Sequence, residues 1–198
     1  MMSLVEENIR LSIISIGGNP SANADKIAEN EETIDFTNGA LTRFLIKLSA
    51  CVDARDEQTI GSYFHVLNDL ERIGDHAENF HEIGQEMLEK KLIFSETALS
   101  DIHQMHGVVI EMIALAKRAF DAENPDYLPG LAKLENRTDE MKRTFSAKHF
   151  SRLSEGNCSL EVSPYYTSTI TGLERVADHI INVGYSICNP VGDENEKE

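Results

Sequence analysis

Two carboxylates one helical turn apart, with an amide a turn further on, occur twice in this chain. They are Glu71, Asp75 and Asn79, then Glu174, Asp178 and Asn182. Residues four apart on a helix are neighbours, with Cβ atoms ~5–6 Å apart, so each set lines up oxygen donors on one face. Glu31/Asp35 and Glu135/Asp139 repeat the acidic spacing elsewhere. Like charges at that spacing repel and slightly destabilise a helix, and a bound cation reverses the sign. Hard oxygen ligands suit Mg, Ca, Mn or oxidised iron, and His76 or His179 beside the pairs widens the range to Zn, Ni or Fe(II). A single Glu-xxx-Asp in an acidic chain is ordinarily a solvated face. Four such pairs at related positions favour cation binding, with Arg72 and Arg175 as i, i+3 salt-bridge partners of Asp75 and Asp178.

The positions are related because the chain repeats itself. Leu70–Asn79 returns as Leu173–Asn182, 103 residues on, with Leu, Glu, Arg, Asp, His and Asn in place and small Gly74 facing Ala177. Tyr63 matches Tyr166 at the same shift. Asn19-Pro20 and Glu31–Asp35 reappear as Asn124-Pro125 and Glu135–Asp139 at shifts of 105 and 104. Four anchors in one order indicate two copies of one unit.

Long helices must carry these faces. Apolar or small residues fall at 63, 66, 70, 73, 77, 80, 84 and 87, a 3-4 spacing that predicts a helix packed lengthwise in a bundle. The second copy keeps that phase from Tyr166 to Ile187. Leu, Ile/Val and Gly/Ala of the repeated decamer therefore belong to the seam, and its Glu, Asp and Asn face away. Breaks at Gly17–Pro20, Asp53–Asp56, Asn124-Pro125 and Gly156-Asn157 delimit six helices, with Asp56 and Ser95 as candidate N-terminal caps. The prediction is an all-α chain of two tandem three-helix bundles, 1–92 and 93–190, followed by a disordered acidic tail over 191–198. The first helix, Leu4–Ile16, has about half the length of the fourth. Either the first copy lost turns or the chain begins part-way through a helix, as a fragment of a larger protein; the second is the expectation.

Composition narrows the function classes. The 198 residues carry a formal net charge of −16, which argues against nucleic acid and suits cations or basic partners. No stretch approaches the ~20 apolar residues of a membrane helix, so no membrane insertion is expected. Cys51, Cys158 and Cys188, odd in number and without a CxxC pair, predict reduced, buried thiols in a cytoplasmic setting. Glu78-xx-His81 is half of a di-iron motif, but it stands alone on the expected outer face. His103 and His106 form an i, i+3 pair expected at a polar helix edge. Neither a phosphate loop nor a nucleophile elbow is present.

The decamer Leu70–Asn79 closely resembles the motif of the PhoU family, regulators of phosphate uptake. The stretch Asn68–His76 is most similar to the cytosolic PhoU-like domain of bacterial sodium/phosphate cotransporters. The resemblance spans residues 4–188, with Ala177 replacing Gly in the second copy. It implies two tandem three-helix bundles with metal ions, among them iron, zinc and nickel, on Glu/Asp-xxx-Asp motifs. Here those are Glu31/Asp35, Glu71/Asp75, Glu135/Asp139 and Glu174/Asp178, with His76, Asn79, His179 and Asn182 as accessory groups. It further implies a non-enzymatic, cytoplasmic regulator that contacts a membrane phosphate transporter or a phosphate-sensing kinase, with a homodimer as a further assembly. The competing classes are a carboxylate-bridged metalloenzyme, which would need an enclosed pocket, and a purely structural bundle.

Overall fold

The computed structural model describes residues 1–188, so the tail expected to be disordered lies outside the described residues. The six helices are α1 (Met2–Ile16), α2 (Ala24–Ser49), α3 (Ala54–Glu89), α4 (Glu96–Ala122), α5 (Leu128–Ser154) and α6 (Ser163–Tyr185). Their ends follow local chemistry. Pro20 and Pro125 each open a single 3-10 turn, where a missing N–H costs nothing. The Ser95 hydroxyl accepts the Ala98 N–H at 3.2 Å and caps α4. On α3 the cap is Asp53, whose carboxylate accepts the Asp56 N–H at 3.2 Å. Asp56 itself is thus inside the helix, which starts about one turn earlier than the spacing had placed it. At the end of α5, Gly156 takes φ 73, and the Asn157 N–H reaches the Arg152 carbonyl at 2.8 Å. That left-handed residue closes the last turn, a conformation cheap for glycine.

Helices α1–α3 and α4–α6 form the two three-helix sets, and α3 packs against α6 to join them. One buried apolar cluster runs through both, with Leu70, Ile73, Ala77 and Phe80 on α3 and Leu173, Val176, Ala177 and Ile180 on α6. Gly84 lets the α1 backbone approach closely, since a Cβ there would lie 2.7 Å from the Ser15 carbonyl carbon and oxygen. The expected seam fails at one end. Tyr63 is 40 % exposed, with Phe120 of α4 edge-on to its ring at 6.3 Å between centroids. No helix among the described residues is long and apolar enough to cross a membrane.

Candidate metal centre

In the first bundle the helix-two and helix-three acids act on one another electrostatically. Glu31 lies across α3 at Gly74, where a Cβ would come within 3.1 and 3.2 Å of its two carboxylate oxygens. Gly74 is therefore a seat for a carboxylate, not a seam residue like Ala177 in the second copy. Behind Glu31, buried Asn8 donates to its Oε2 at 3.5 Å and to the Ile27 carbonyl at 3.3 Å, and Asn30 donates to Asn8 Oδ1 at 2.9 Å. Burial, followed by the charges of Asp35, Glu78 and Asp75, pushes Glu31 up to about 7, against the lowering effect of the Asn8 amide. Burial and then Asp75 and Asp35 likewise raise Glu71, opposed by Arg72. Glu31, Asp35, Glu71 and Asp75 thus share one electrostatic site, joined by Glu78.

In the second bundle, acids of α5 and α6 come close together. Carboxylate oxygens of Glu135, Asp139 and Asp178 lie within 4.8 Å of one another. That span suits oxygens around one cation, whose metal–oxygen distances run from about 2.0 to 2.6 Å. Burial first, then Asp139, Asp178 and Glu174, raises Glu135. Asp178 is raised by burial, Glu174 and Asp139, while His179 and Lys142 oppose. Glu174 is instead held by Lys142 at 2.7 Å. The copies therefore differ: a lysine neutralises one acid of the second cluster, and neither Arg72 nor Arg175 forms the expected ion pair among the described residues. The donor set fits a hard cation, because hydrogen bonds and ion pairs leave most of these carboxylates' mutual repulsion uncompensated.

The accessory residues divide. His76 and His179 face each other between α3 and α6 with ring centroids 6.0 Å apart, and His179 Nδ1 bonds Asp69 at 2.8 Å. Burial, then His179 and Arg175, holds His76 below the usual imidazole range. Asn79 lines the α3/α6 cleft with His76 and Arg175 rather than the acidic site, and Asn182 is exposed on α6. His81 is not on the outer face. It is buried against α1, with Nδ1 on the Ser15 hydroxyl at 2.8 Å and Nε2 on Gln85 at 3.0 Å, so both ring nitrogens are engaged. His103 is exposed, whereas the His106 ring is buried and burial pushes it down to about 4. The cysteines also depart from expectation: Cys51 and Cys188 are exposed and Cys158 is half-buried. Each lies near a helix end, where the apolar seam has stopped.

Sequence reasoning missed Asn8, Gly74 as a carboxylate seat, and Lys142. Only Lys142 left a signal, as a cation one turn beyond Asp139. Asn8 and Gly74 act across helices, which spacing along one helix does not reveal.

A model of the "PhoU domain" family matches residues 1–84 and 102–187. The chain is 29 % identical, over its whole length and 85 % of the relative, to the phosphate-specific transport system accessory protein PhoU homolog 1 of Thermotoga maritima. It is 26 % identical to the PhoU homolog of Synechocystis, across 99 % of this chain and 87 % of that one. Among solved structures, PhoU from Pseudomonas aeruginosa shares the fold with a TM-score of 0.86 at 21 % identity, covering 94 % of this chain and 90 % of its own.

Proposed function

We propose that this chain, which belongs to the PhoU domain family, is a metal-binding regulator of phosphate transport that works through protein contacts rather than catalysis. The observation that carries this reading is the repeated convergence of acidic pairs from neighbouring helices. Glu31, Asp35, Glu71 and Asp75 act on one another electrostatically in one bundle, and oxygens of Glu135, Asp139 and Asp178 gather within 4.8 Å, with Glu174 acting on them, in the other. Carboxylates that raise one another's pKa hold unused electrostatic energy, which a di- or trivalent cation recovers on binding. Fe, Zn, Ni, Mg and Ca are the candidates; oxygen-rich donors favour the harder ions.

The relatives are named as accessory proteins of phosphate-specific transport. On that likeness the partner is a membrane phosphate transporter, or a kinase that senses phosphate, on the cytoplasmic side. The metal sites lie on open helix faces, which suits a contact surface bridged or shaped by ions and not an enclosed reaction centre. Elemental analysis of purified protein tests the site: Glu71→Ala/Asp75→Ala and Glu174→Ala/Asp178→Ala each remove metal from one bundle. Metal that is absent, or unchanged in both variants, refutes it. Phosphate uptake by cells in which these variants replace the native chain tests the regulatory role separately.

A further inference from the structure

The repeated decamer carries three polar residues that the acidic sites leave unused: Arg72, His76 and Asn79 in the first copy, Arg175, His179 and Asn182 in the second. Part of this set comes together where the bundles join. There α3 and α6 run antiparallel, pinned at one end by the 2.8 Å bond between His179 and Asp69. At the other end the Tyr165 hydroxyl donates to Glu86 at 2.9 Å. Between the pins lies a cleft of about 510 Å³. Arg175, His76 and Asn79 line it toward the His179 end, and Thr171, Ser168 and Thr167 follow along α6. His76 and Asn79 come from one copy and Arg175 from the other, so packing of the two bundles creates the set. Arg175 lies close enough to His76 to act on its charge.

None of these six side chains makes a hydrogen bond or ion pair among the described residues. Thr169 on the same helix, and Thr33 and Thr138 elsewhere, turn their hydroxyls back onto backbone carbonyls at 2.8, 2.9 and 2.9 Å. The cleft hydroxyls do not. Arg175 is the more telling case. Asp and Glu outnumber Lys and Arg by 34 to 18 in this chain, yet among the described residues no carboxylate pairs with it. Of the two carboxylates that line the cleft, Glu86 is held by Lys90 at 2.8 Å. Glu82 stands about 9 Å along α3 from His76. One end of the cleft is therefore a set of unused N–H donors around a guanidinium, and the rest is lined by hydroxyls and one unpaired acceptor.

We propose that the α3/α6 cleft binds a small phosphate monoester with a hydroxylated body. The Arg175 guanidinium presents a planar fork of donors that matches two phosphate oxygens, and the Asn79 amide and His76 imidazole donate beside it. Thr171, Ser168 and Thr167 donate to or accept from the hydroxyls of the body, and Glu82 accepts from them. Size favours an ester over a bare ion, because about 510 Å³ falls within the range of small-molecule pockets, roughly 300–1,000 Å³. The net charge of −16 opposes anions in general, so one is held only where such donors converge. The proposal is independent of the metal reading and uses none of its carboxylates.

Calorimetric titration of the unmodified chain with ribose 5-phosphate, inorganic phosphate and ribose tests it, on protein as purified and again after EDTA treatment. Ribose 5-phosphate is expected to bind in both preparations, at least threefold more tightly than inorganic phosphate, with ribose inert. Arg175→Gln, at an exposed position, is expected to weaken it at least tenfold while circular dichroism and metal content stay unchanged. Arg72→Gln removes the same charge from a residue outside the cleft and should change the affinity less than twofold. No binding at millimolar ribose 5-phosphate overturns the proposal, as does inorganic phosphate binding as tightly as the ester. Binding that EDTA abolishes also overturns it, because the anion would then sit on a metal ion. Equal losses in the two arginine variants overturn it as well, since only the overall charge would matter.

Discussion

Glu31→Gln offers the sharpest test of the first acidic site. Burial and three carboxylate neighbours hold Glu31 at about 7 in the folded chain, against an ordinary 4.5. Below pH 4.5 the group is protonated in both states and makes no difference. Between 4.5 and 7 the folded protein binds the extra proton, so stability falls as pH rises, and above 7 the loss is complete. Unscreened, a shift of that size corresponds to about 3 kcal/mol. Glu31 is only half-buried, and solvent screening reduces this to roughly 1–2 kcal/mol. Glutamine keeps the acceptor for Asn8 and removes the charge. Urea unfolding in EDTA at pH 5.0 and 7.5 should therefore show wild type losing more stability than Glu31→Gln over that interval, by ~1–2 kcal/mol, or ~2–8 °C in Tm. A saturating cation should narrow the gap by stabilising the ionised cluster in wild type. Equal pH dependence in the two proteins would refute the electrostatic convergence at Glu31, since the other acids contribute to both.

Four further substitutions probe the arrangement. Gly74→Ala places a methyl 3.1 Å from Glu31 Oε2, so it should displace that carboxylate and weaken cation binding in the first bundle by roughly tenfold, read by competitive titration. Gly84→Ala puts a Cβ 2.7 Å from Ser15 backbone atoms, which cannot move aside as a side-chain tip can; about 1–3 kcal/mol of stability should be lost in calorimetry. Gly107→Ala, on α4 with no atom within 4 Å, should by contrast gain roughly 0.5–1 kcal/mol. Lys142→Met releases Glu174 from its 2.7 Å ion pair, and cation affinity in the second bundle should rise; an unchanged affinity would show that Glu174 takes no part in binding.

Much of the fold was legible because helix periodicity and end signals are local. The seam from Val66 to Met87 is buried, Ser95 caps α4, and Gly156 ends α5 through its positive φ. Tyr63 broke the pattern for a non-local reason: it meets Phe120 of α4 only edge-on. The acidic pairs could be found by spacing, and their partners across helices could be inferred only by analogy between the copies. His81 was misplaced because it lies one position beyond the seam residue Phe80, close enough for α1 to bury it.

The chain by itself determined the helices, the duplication and the four Glu-xxx-Asp pairs, because each is written in residue type at fixed spacing along one element. Tertiary structure decided how the copies differ. Gly74 admits Glu31 only because α2 crosses α3 there, and Lys142 reaches Glu174 only because α5 lies beside α6. Spacing fixes which residues share a face, whereas packing between helices fixes what that face meets.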